Sequence, residues 1–314
     1  MELKPLVVLT GPTAVGKTNL SIRLAKETGG EIISADSMQV YRHMDIGSAK
    51  IRPEQMQSVP HHLIDVLEPW EDFNVVTFQK LCKDAINEIC ESGRLPILTG
   101  GTGFYIQAAL YDIDFTENEE NRPYRKELEE IAANAGPAVL HEMLRKADPD
   151  SAEAIHANNV KRVIRALEFY RETGKRISEH NAVEREKQAA YRFCYFVLTQ
   201  NRQTLYERID SRVDAMISDG LVEEVNALRE MGLHRGNGSM QGLGYKEILA
   251  YLEGETSLDE AVYRIKRDTR HFAKRQLTWF RREKDVIWID KDRFSGDEEQ
   301  ILAFMKTKMK EKGI

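Results

Sequence analysis

The amino-acid sequence predicts an α/β fold, in which a doubly wound parallel sheet carries a helical insertion domain and a helical C-terminal region. Three observations lead to this prediction. Short apolar runs alternate with amphipathic segments as far as residue 103, and strands that alternate with helices pair in parallel. A long charged stretch with helical spacing then interrupts the pattern. Beyond it, apolar strand-like runs return near residue 195 and again near residue 288.

The first elements are assigned from the spacing of apolar residues. A strand at residues 6–9 leads through a glycine loop into a helix from about Lys17 to Thr28, which Gly29 and Gly30 end. The following segments are a strand at 31–36, an amphipathic helix at 76–91 and a buried strand in LPILTGGTG, residues 95–103, that enters a glycine turn.

The pattern changes after Phe115, where a highly charged run opens a series of helices that reaches about Ala190. One of these helices is capped by Asn158 or Asn159 and closed by Gly174. A strand is expected again in YRFCYFVLTQNR, and VIWID at 286–290 is the final strand. We therefore predict a catalytic core made of residues 1–115 and 190–314, with a helical insertion domain at 116–189.

Residues 11–18 match the phosphate-binding pattern G-x-x-x-x-G-K-[ST], with an apolar strand before and an amphipathic helix after. The backbone N–H groups of such a loop surround an anion, and the helix N-terminus adds partial positive charge. Lys17 would neutralise phosphate oxygens, and the Thr18 hydroxyl would ligate Mg²⁺. The motif predicts a P-loop NTPase-like core that binds a diphosphate or triphosphate through Gly11, Pro12, Thr13, Ala14, Val15, Gly16, Lys17 and Thr18.

A carboxylate stands in an unusual place for an NTPase. A motor or switch NTPase carries a metal-binding aspartate at the end of a later apolar strand. The corresponding strand here ends in Thr99. Asp36 instead follows the second strand, where the crevice of an α/β sheet binds ligands. Its carboxylate is suited either to ligate a metal or to act as a general base.

The charge distribution is uneven along the chain. The formal net charge of −6 argues against a nucleic-acid partner, but residues 263–284 hold nine Lys and Arg against two acids. Aromatic residues are interleaved, so a polyanion-binding surface is favoured over a solvated helix face. Apolar runs fall short of the roughly 18 residues that span a membrane. The three cysteines form no C-x-x-C pair. We therefore expect a cytoplasmic protein without a membrane partner or a zinc site.

Eight segments occur in a fixed order: GPTAVGKT, DSMQVYR, DIGSAK, PHHLID, GGTGFY, NNVKRVIRALE, QGLGYKE and HFAKRQLTWFRR. In combination they resemble the bacterial tRNA dimethylallyltransferase family, also called tRNA isopentenyltransferases, from about residue 6 to residue 290. The departures are small: this chain has Ser48, Ile51 and QGLGYKE where the family often has Thr, Pro and QAIGYKE. The resemblance implies transfer of a dimethylallyl group from dimethylallyl diphosphate to the exocyclic amine of adenosine 37, in the tRNA anticodon stem-loop, with release of diphosphate.

The resemblance and the chemistry together suggest roles for individual residues. Asp36 is the candidate general base for the adenine amine. Thr102 and Arg212 resemble the family's further diphosphate partners, and Arg208, one turn before Arg212, is the alternative. The loop and Mg²⁺ at Thr18 would stabilise the departing diphosphate. Contacts to tRNA are expected from Asp36, Ser37, Met38, Gln39, Thr102, Arg125, Lys161, Arg162, Arg165, Gln241, Lys274, Arg275, Gln276 and Arg281.

Three other functions share part of this pattern. A small-molecule or nucleotide kinase has the loop and a carboxylate but does not need the basic C-terminal helix. A transferase that prenylates free adenine nucleotides needs neither the helical insertion nor the basic stretch. A non-catalytic RNA-binding module is disfavoured by Asp36 beside an intact phosphate loop. We expect a monomer, for want of a coiled coil or an apolar interface stripe.

Overall fold

The computed structural model describes residues 3–115 and 122–314, which divide into two compact units. Unit 1 combines Met1–Asp112 with Ala189–Ile314, and unit 2 is Ile113–Gln188. The sequence-based division has its boundaries at residues 115/116 and 189/190. The helical segment therefore forms a compact unit of its own, inserted between two parts of unit 1.

A single parallel sheet forms the centre of unit 1. Over residues 3–115 and 122–314 the sheet has six strands in the order β3-β2-β4-β1-β5-β6. The strands are β1 Pro5–Thr10, β2 Gly30–Ala35, β3 His61–His62, β4 Leu95–Gly100, β5 Arg192–Thr199 and β6 Val286–Asp290. The predicted doubly wound parallel sheet is thereby confirmed. The sequence pattern did not predict β3, because two residues are too few to show an alternation.

Helices account for most of the remaining chain. In chain order the α-helices of the described residues are α1 Lys17–Thr28, α2 Val75–Glu91, α3 Gly103–Leu110, α4 Arg122–Asn134, α5 Pro137–Ala147, α6 Pro149–Ala154, α7 Val160–Thr173, α8 Ile177–Glu186, α9 Arg202–Ser218, α10 Leu221–Glu230, α11 Tyr245–Leu252, α12 Leu258–Phe280 and α13 Glu298–Glu311. Short 3-10 helices occur at Pro53–Met56, Ser239–Gln241 and Lys291–Phe294. None of these helices is both long and apolar enough to cross a membrane.

The two faces of the sheet are covered by different helices. Successive side chains of a strand point to opposite faces. On β1, Leu6 and Val8 join the core that contains α2 and α3, whereas Val7 and Leu9 join the core that contains α1 and α13. Because both faces are buried, β1 is apolar without interruption, as strands of parallel sheets usually are.

A third core in unit 1 supports the segment that follows β2. Val40, Tyr41 and Met44 pack among side chains of α10, α11 and the first half of α12. The Glu224 carboxylate on α10 accepts hydrogen bonds from the backbone N–H groups of residues 45, 46 and 47, at 2.9, 2.7 and 3.1 Å. The Tyr245 hydroxyl donates to the same carboxylate at 2.8 Å. The segment that begins at Asp36 is therefore held by tertiary contacts.

Unit 2 has an apolar core of its own, formed by side chains of α4, α5, α6 and α7. A fully buried carboxylate, Asp148, joins α6 to α8. It accepts bonds from the backbone and hydroxyl of Ser151 and from the backbone and hydroxyl of Ser178. Burial raises the pKa of Asp148, but these four bonds outweigh it and hold the pKa below its usual value. Gly174 ends α7 in the left-handed conformation.

Candidate active site

The carboxyl ends of three neighbouring strands, β2, β4 and β1, create the candidate site. Their last residues, Ala35, Gly100 and Thr10, pair in register, so the chain leaves all three strands at the same level. The Thr10 hydroxyl donates to the Gly100 carbonyl oxygen at 2.6 Å and joins two of these ends. The phosphate loop, the second glycine turn and Asp36 follow directly. Ligands of parallel α/β sheets bind at this edge.

The phosphate loop has the backbone shape that its glycines predict. Gly11 and Gly16 have φ values of 146° and 100°, which favour glycine. A Cβ atom on Gly11 would also lie 2.6 Å from the Leu198 carbonyl oxygen on β5. The Lys17 ammonium folds back over the loop and donates to the carbonyl oxygens of Gly11 and Pro12, at 3.0 and 2.9 Å. The loop is therefore closely packed on the sheet, with the side chain of Lys17 folded over it.

Lys17, Asp36 and Arg212 interact electrostatically at the site. Burial and the charge of Arg212 lower the pKa of Lys17, the charge of Asp36 opposes them, and the net result is a pKa of about 7. Burial raises the pKa of Asp36. The N–H groups of Met38 and Gln39 and the charges of Lys17 and Arg212 lower it, but the net pKa is raised. The Met38 N–H donates to the Asp36 carboxylate at 2.9 Å. A partly neutral lysine and a moderately basic carboxylate therefore share one site.

Arg208 and Arg212 both lie on α9, which follows β5, the neighbour of β1. Burial lowers the pKa of Arg212, Arg208 lowers it further, and the negative charge of Asp36 opposes both. The guanidinium of Arg208 lies 3.6 Å from the position that a Cβ atom on Gly16 would take. Arg212 thus interacts with Asp36, and Arg208 approaches the other end of the loop.

Lys291, the first residue of the 3-10 helix Lys291–Phe294, contacts the phosphate loop and was not singled out by the sequence pattern. Its ammonium donates to the Val15 carbonyl oxygen at 3.3 Å and lies 3.0 Å from the position of a Cβ atom on Gly16. Burial lowers the pKa of Lys291, Arg208 lowers it further, and Glu298 opposes them. One signal could have identified it: Lys291 directly follows the strand VIWID, at the edge of the sheet where ligands bind.

Thr102 lies in the second glycine turn and precedes α3. Its N–H donates to the Ala35 carbonyl oxygen at 3.3 Å, which places it beside the chain segment of Asp36. The glycines on either side receive side chains from α12. A Cβ atom on Gly101 would lie 2.2 Å from the Gln276 amide nitrogen, and one on Gly103 would lie 2.3 Å from the Trp279 ring. Glycine at both positions lets α12 approach the turn closely.

Comparison with known proteins identifies the family. The sequence matches the family model described as IPP transferase over residues 39–283 and the model described as Isopentenyl transferase over residues 4–67. A Lachnoclostridium phytofermentans protein named tRNA dimethylallyltransferase is 61% identical over 304 residues, covering 97% of each chain. The chain belongs to the IPP transferase family. The resemblance suggested by the eight sequence segments is thereby confirmed.

Solved structures of IPP transferases have the same fold. The full-length tRNA isopentenylpyrophosphate transferase from Bacillus halodurans is 46% identical, with a TM-score of 0.74 over 99% of this chain and 98% of that one. A eukaryotic dimethylallyltransferase, described as acting on tRNA, is 32% identical, with a TM-score of 0.79 over 91% of this chain and 74% of that one. The P-loop-like α/β architecture is shared across this range of identity.

In this IPP transferase the segment at residues 36–39, predicted to bind tRNA, lies at the site and is half-buried. The amide of Gln39 is engaged within unit 1: it accepts from the Ser34 hydroxyl at 3.1 Å and donates to the carbonyl oxygens of Ser48 and Ala49 at 3.5 and 3.4 Å. The Met38 methyl group lies 2.6 Å from the position of a Cβ atom on Gly242. These contacts fix the segment against unit 1.

The basic residues of α12 and of the turn that follows it fall into two groups. In the first half of the helix Arg264, Lys266, Arg267 and Arg270 are paired with acids. For Lys274, Arg275, Arg281 and Arg282 no ion pair occurs within the described ranges, and all four are exposed. We refer to these four residues as the basic segment. An open groove of about 400 Å³ beside it is lined by His271, Lys274, Arg275, Thr278, Trp279 and Arg282.

Gln276, predicted from the sequence as a tRNA contact, bonds two backbone groups of unit 1 through its side chain. It lies on the buried face of α12 with Ala273 and Phe280, and only 5% of it is exposed. Its carbonyl oxygen accepts from the Thr13 N–H at 2.9 Å, and its amide nitrogen donates to the Gly101 carbonyl oxygen at 2.9 Å. The side chain therefore bridges the phosphate loop and the second glycine turn. Periodicity alone did not separate it from its basic neighbours.

The remaining predicted tRNA contacts belong to unit 2 or to unit 1. On α7 of unit 2, Lys161 and Arg162 are exposed and Arg165 is half-buried. Arg125, on α4, binds Glu168 through two bonds of 3.0 and 2.7 Å, and Glu168 is only 4% exposed. The Gln241 amide, exposed in unit 1, donates to the Arg235 carbonyl oxygen.

Proposed function

We propose that the chain transfers a dimethylallyl group from dimethylallyl diphosphate to the exocyclic amine of adenosine 37 in tRNA and releases diphosphate. Membership of the IPP transferase family, with relatives named tRNA dimethylallyltransferase, supports the reaction class. The observation that carries the proposal is the position of Asp36 beside Lys17 and Arg212, next to the phosphate loop. An amine nucleophile needs a base, and a diphosphate leaving group needs cations, so the two requirements meet in one site.

The reaction would proceed in one displacement. The bond between the allylic carbon and the diphosphate oxygen breaks, and the electron pair leaves with the diphosphate. The adenine nitrogen forms the new bond to carbon, and its proton passes to the Asp36 carboxylate. Lys17, Arg212 and the loop N–H groups would stabilise the negative charge that develops on the leaving group. The raised pKa of Asp36 makes it a stronger base than an ordinary aspartate.

The residues of the loop fit a magnesium ion. Thr18 is the second residue of α1 and is exposed, so its hydroxyl is available to a ligand beside the loop. Mg²⁺ prefers oxygen ligands and is usually held by few protein groups together with phosphate oxygens and water. When bound, the ion would neutralise charge on the leaving diphosphate.

The tRNA requirement follows from the position of the reactive amine. Adenosine 37 must leave the anticodon stack before its amine enters a pocket. The protein must therefore contact the neighbouring nucleotides and hold them in place. The basic segment is suited to hold the phosphates on either side. Because tRNA is its substrate, we propose the cytoplasm as its location. We also propose a monomer, for which light scattering should give a mass of 36.1 kDa.

One labelling experiment tests the proposal. The protein is incubated with Mg²⁺, radiolabelled dimethylallyl diphosphate and either tRNA or AMP, with a tRNA carrying guanosine at position 37 as the control. Label is expected in the first tRNA alone. Transfer to AMP would instead favour a free-nucleotide prenyltransferase.

A second measurement separates the proposal from a kinase or NTPase. Phosphate release from ATP is followed with tRNA present and donor absent. We expect ATP to compete with the donor without being consumed, because loop N–H groups do not distinguish one diphosphate tail from another. Sustained multiple-turnover hydrolysis would reject this assignment of the loop.

A further inference from the structure

Gln276 ties the conformation of the phosphate loop to the position of α12. Its carbonyl oxygen and its amide nitrogen are both bonded, at 2.9 Å each, to backbone groups of two different loops. One bond takes up the Thr13 N–H, which then does not point at a phosphate. The other holds the carbonyl oxygen of Gly101, the residue before Thr102. Because the amide is buried, water does not replace either bond at low cost.

The same helix and the turn that follows it carry the basic segment, which is exposed. Lys274 and Arg275 immediately precede Gln276, and Arg281 lies just beyond the buried Phe280. Trp279, between them, packs on Gly103. A displacement of this end of α12 therefore changes Thr13, Gly101 and the basic segment together. A polyanion bound on the exposed face and a diphosphate bound in the loop would both act on this one element.

We propose that Gln276 is a positioning residue that couples RNA binding at the basic segment to donor binding at the phosphate loop, so that each ligand strengthens the binding of the other. This inference rests on the proposed function, because it needs both ligands. Coupling between two binding sites is reciprocal. RNA that fixes the end of α12 also fixes the loop, and the donor then binds a loop that is already ordered.

The sign of the coupling separates this mechanism from simple electrostatics. RNA phosphates reduce the positive potential around the site, and through charge alone they would weaken the binding of a diphosphate. A bridge through Gln276 has the opposite effect. Positive coupling that disappears when the bridge is removed is therefore specific to the proposed role.

The test uses an unreactive donor analogue, dimethylallyl thiolodiphosphate, in which sulfur replaces the bridging oxygen. Its dissociation constant is measured by calorimetry, alone and with saturating anticodon stem-loop RNA. For the unmodified protein we expect RNA to tighten analogue binding at least about fivefold. Gln276→Met has a similar volume and makes neither bond. The ratio of the analogue dissociation constants without and with RNA should therefore fall to about one, while RNA affinity stays within about threefold. Gln276→Glu keeps the acceptor for Thr13 and loses the donor to Gly101, so its ratio should lie between the two.

Gln203→Met is the matched control, because Gln203 is exposed on α9 and bonds only Glu207 through its side chain in the described residues. It should keep the ratio of the unmodified protein. If the unmodified protein binds neither ligand, the proposed function fails. If it binds both and Gln276→Met retains the full ratio, the coupling role of Gln276 is wrong.

A measurement on the unmodified protein covers the case in which the Gln276 variants do not fold. Hydrogen exchange of a peptide that contains Thr13 is followed on addition of RNA without donor. Slower exchange is expected, because the RNA would hold α12 and with it the bond from the Thr13 N–H. Unchanged exchange would overturn the inference.

Discussion

At the scale of single residues, the site depends on how Asp36 is surrounded. Burial raises the pKa of this carboxyl group, whereas two backbone N–H groups and the charges of Lys17 and Arg212 lower it. The same N–H groups fix the direction of the carboxylate. A carboxylate held in this way, with a raised pKa, would accept the proton of the adenine amine more strongly than an ordinary aspartate does.

Asp36→Ala should therefore slow transfer by ~10²–10⁴-fold, the usual contribution of a general base. Binding of tRNA should stay within about tenfold of the original, because the basic segment is unchanged. Single-turnover transfer and tRNA affinity measured on the same preparation check both statements. A variant that retains near-normal turnover would remove Asp36 from the mechanism.

Lys17 should give donor binding a defined pH dependence. Its pKa in the free protein is lowered to about 7, so above that pH the side chain is mainly neutral. A bound diphosphate favours the charged form and raises the pKa, and binding then takes up a proton. Affinity should fall as the pH rises above about 7. At low pH, transfer should fall because Asp36 becomes protonated.

Calorimetry of diphosphate binding at pH 8, in buffers of different ionisation enthalpy, measures this uptake. We expect it to approach about one proton per diphosphate. Lys17→Met should abolish the uptake and weaken binding. Binding without proton exchange at that pH would show that Lys17 is already charged in the free loop.

At the scale of one element, α12 and the turn that follows it carry two groups of basic residues, one paired with acids and one not. The first half of α12 pairs each of its basic residues from Arg264 to Arg270 with an acid, and pairs of this kind contribute little to binding a polyanion. Within the described ranges the basic segment lacks such partners. The buried side of the same helix carries Gln276 and Phe280. One helix with the turn after it thus presents unpaired positive charge on its exposed side and supports the phosphate loop and the second glycine turn from its buried side.

Replacing the four residues of the basic segment with glutamine should weaken tRNA binding. The slope of log K against log salt should become shallower by up to about four units, since each phosphate contact contributes about one. Replacement of Arg264, Lys266, Arg267 and Arg270 is the control and should change the slope much less. Equal effects of the two sets would mean that the ion pairs open when RNA binds.

At the scale of the whole molecule, the inserted unit 2 has its own core and its own charged helix. Neutralising Lys161, Arg162 and Arg165 on α7 should weaken tRNA binding and make the salt slope shallower by up to about three units. The change should leave the unfolding temperature nearly the same, because Lys161 and Arg162 are exposed and the apolar core of the unit is untouched. An unchanged salt slope would mean that α7 does not contact the RNA backbone.

The sequence by itself determined the parts of this protein that are local in the chain. β1, the phosphate loop and α1 are adjacent, so their apolar spacing, glycines and lysine predict both the structure and the anion site. The ends of α1 and α7 follow from the glycines after them. The candidate base, Asp36, was also predicted, because carboxyl ends of parallel strands meet at one edge.

Tertiary structure alone decided which distant side chains complete the site. Gln276 reaches Thr13 across 263 residues, and Lys291 reaches Val15 across 276. Along α12, a run of basic residues does not show which ones are paired, because Asp210 and Asp214 lie on another helix. Periodicity reports which face of a helix is apolar, but not what packs against it. The two 2.9 Å bonds of Gln276 exist only because folding brings α12 against two loops that follow separate strands.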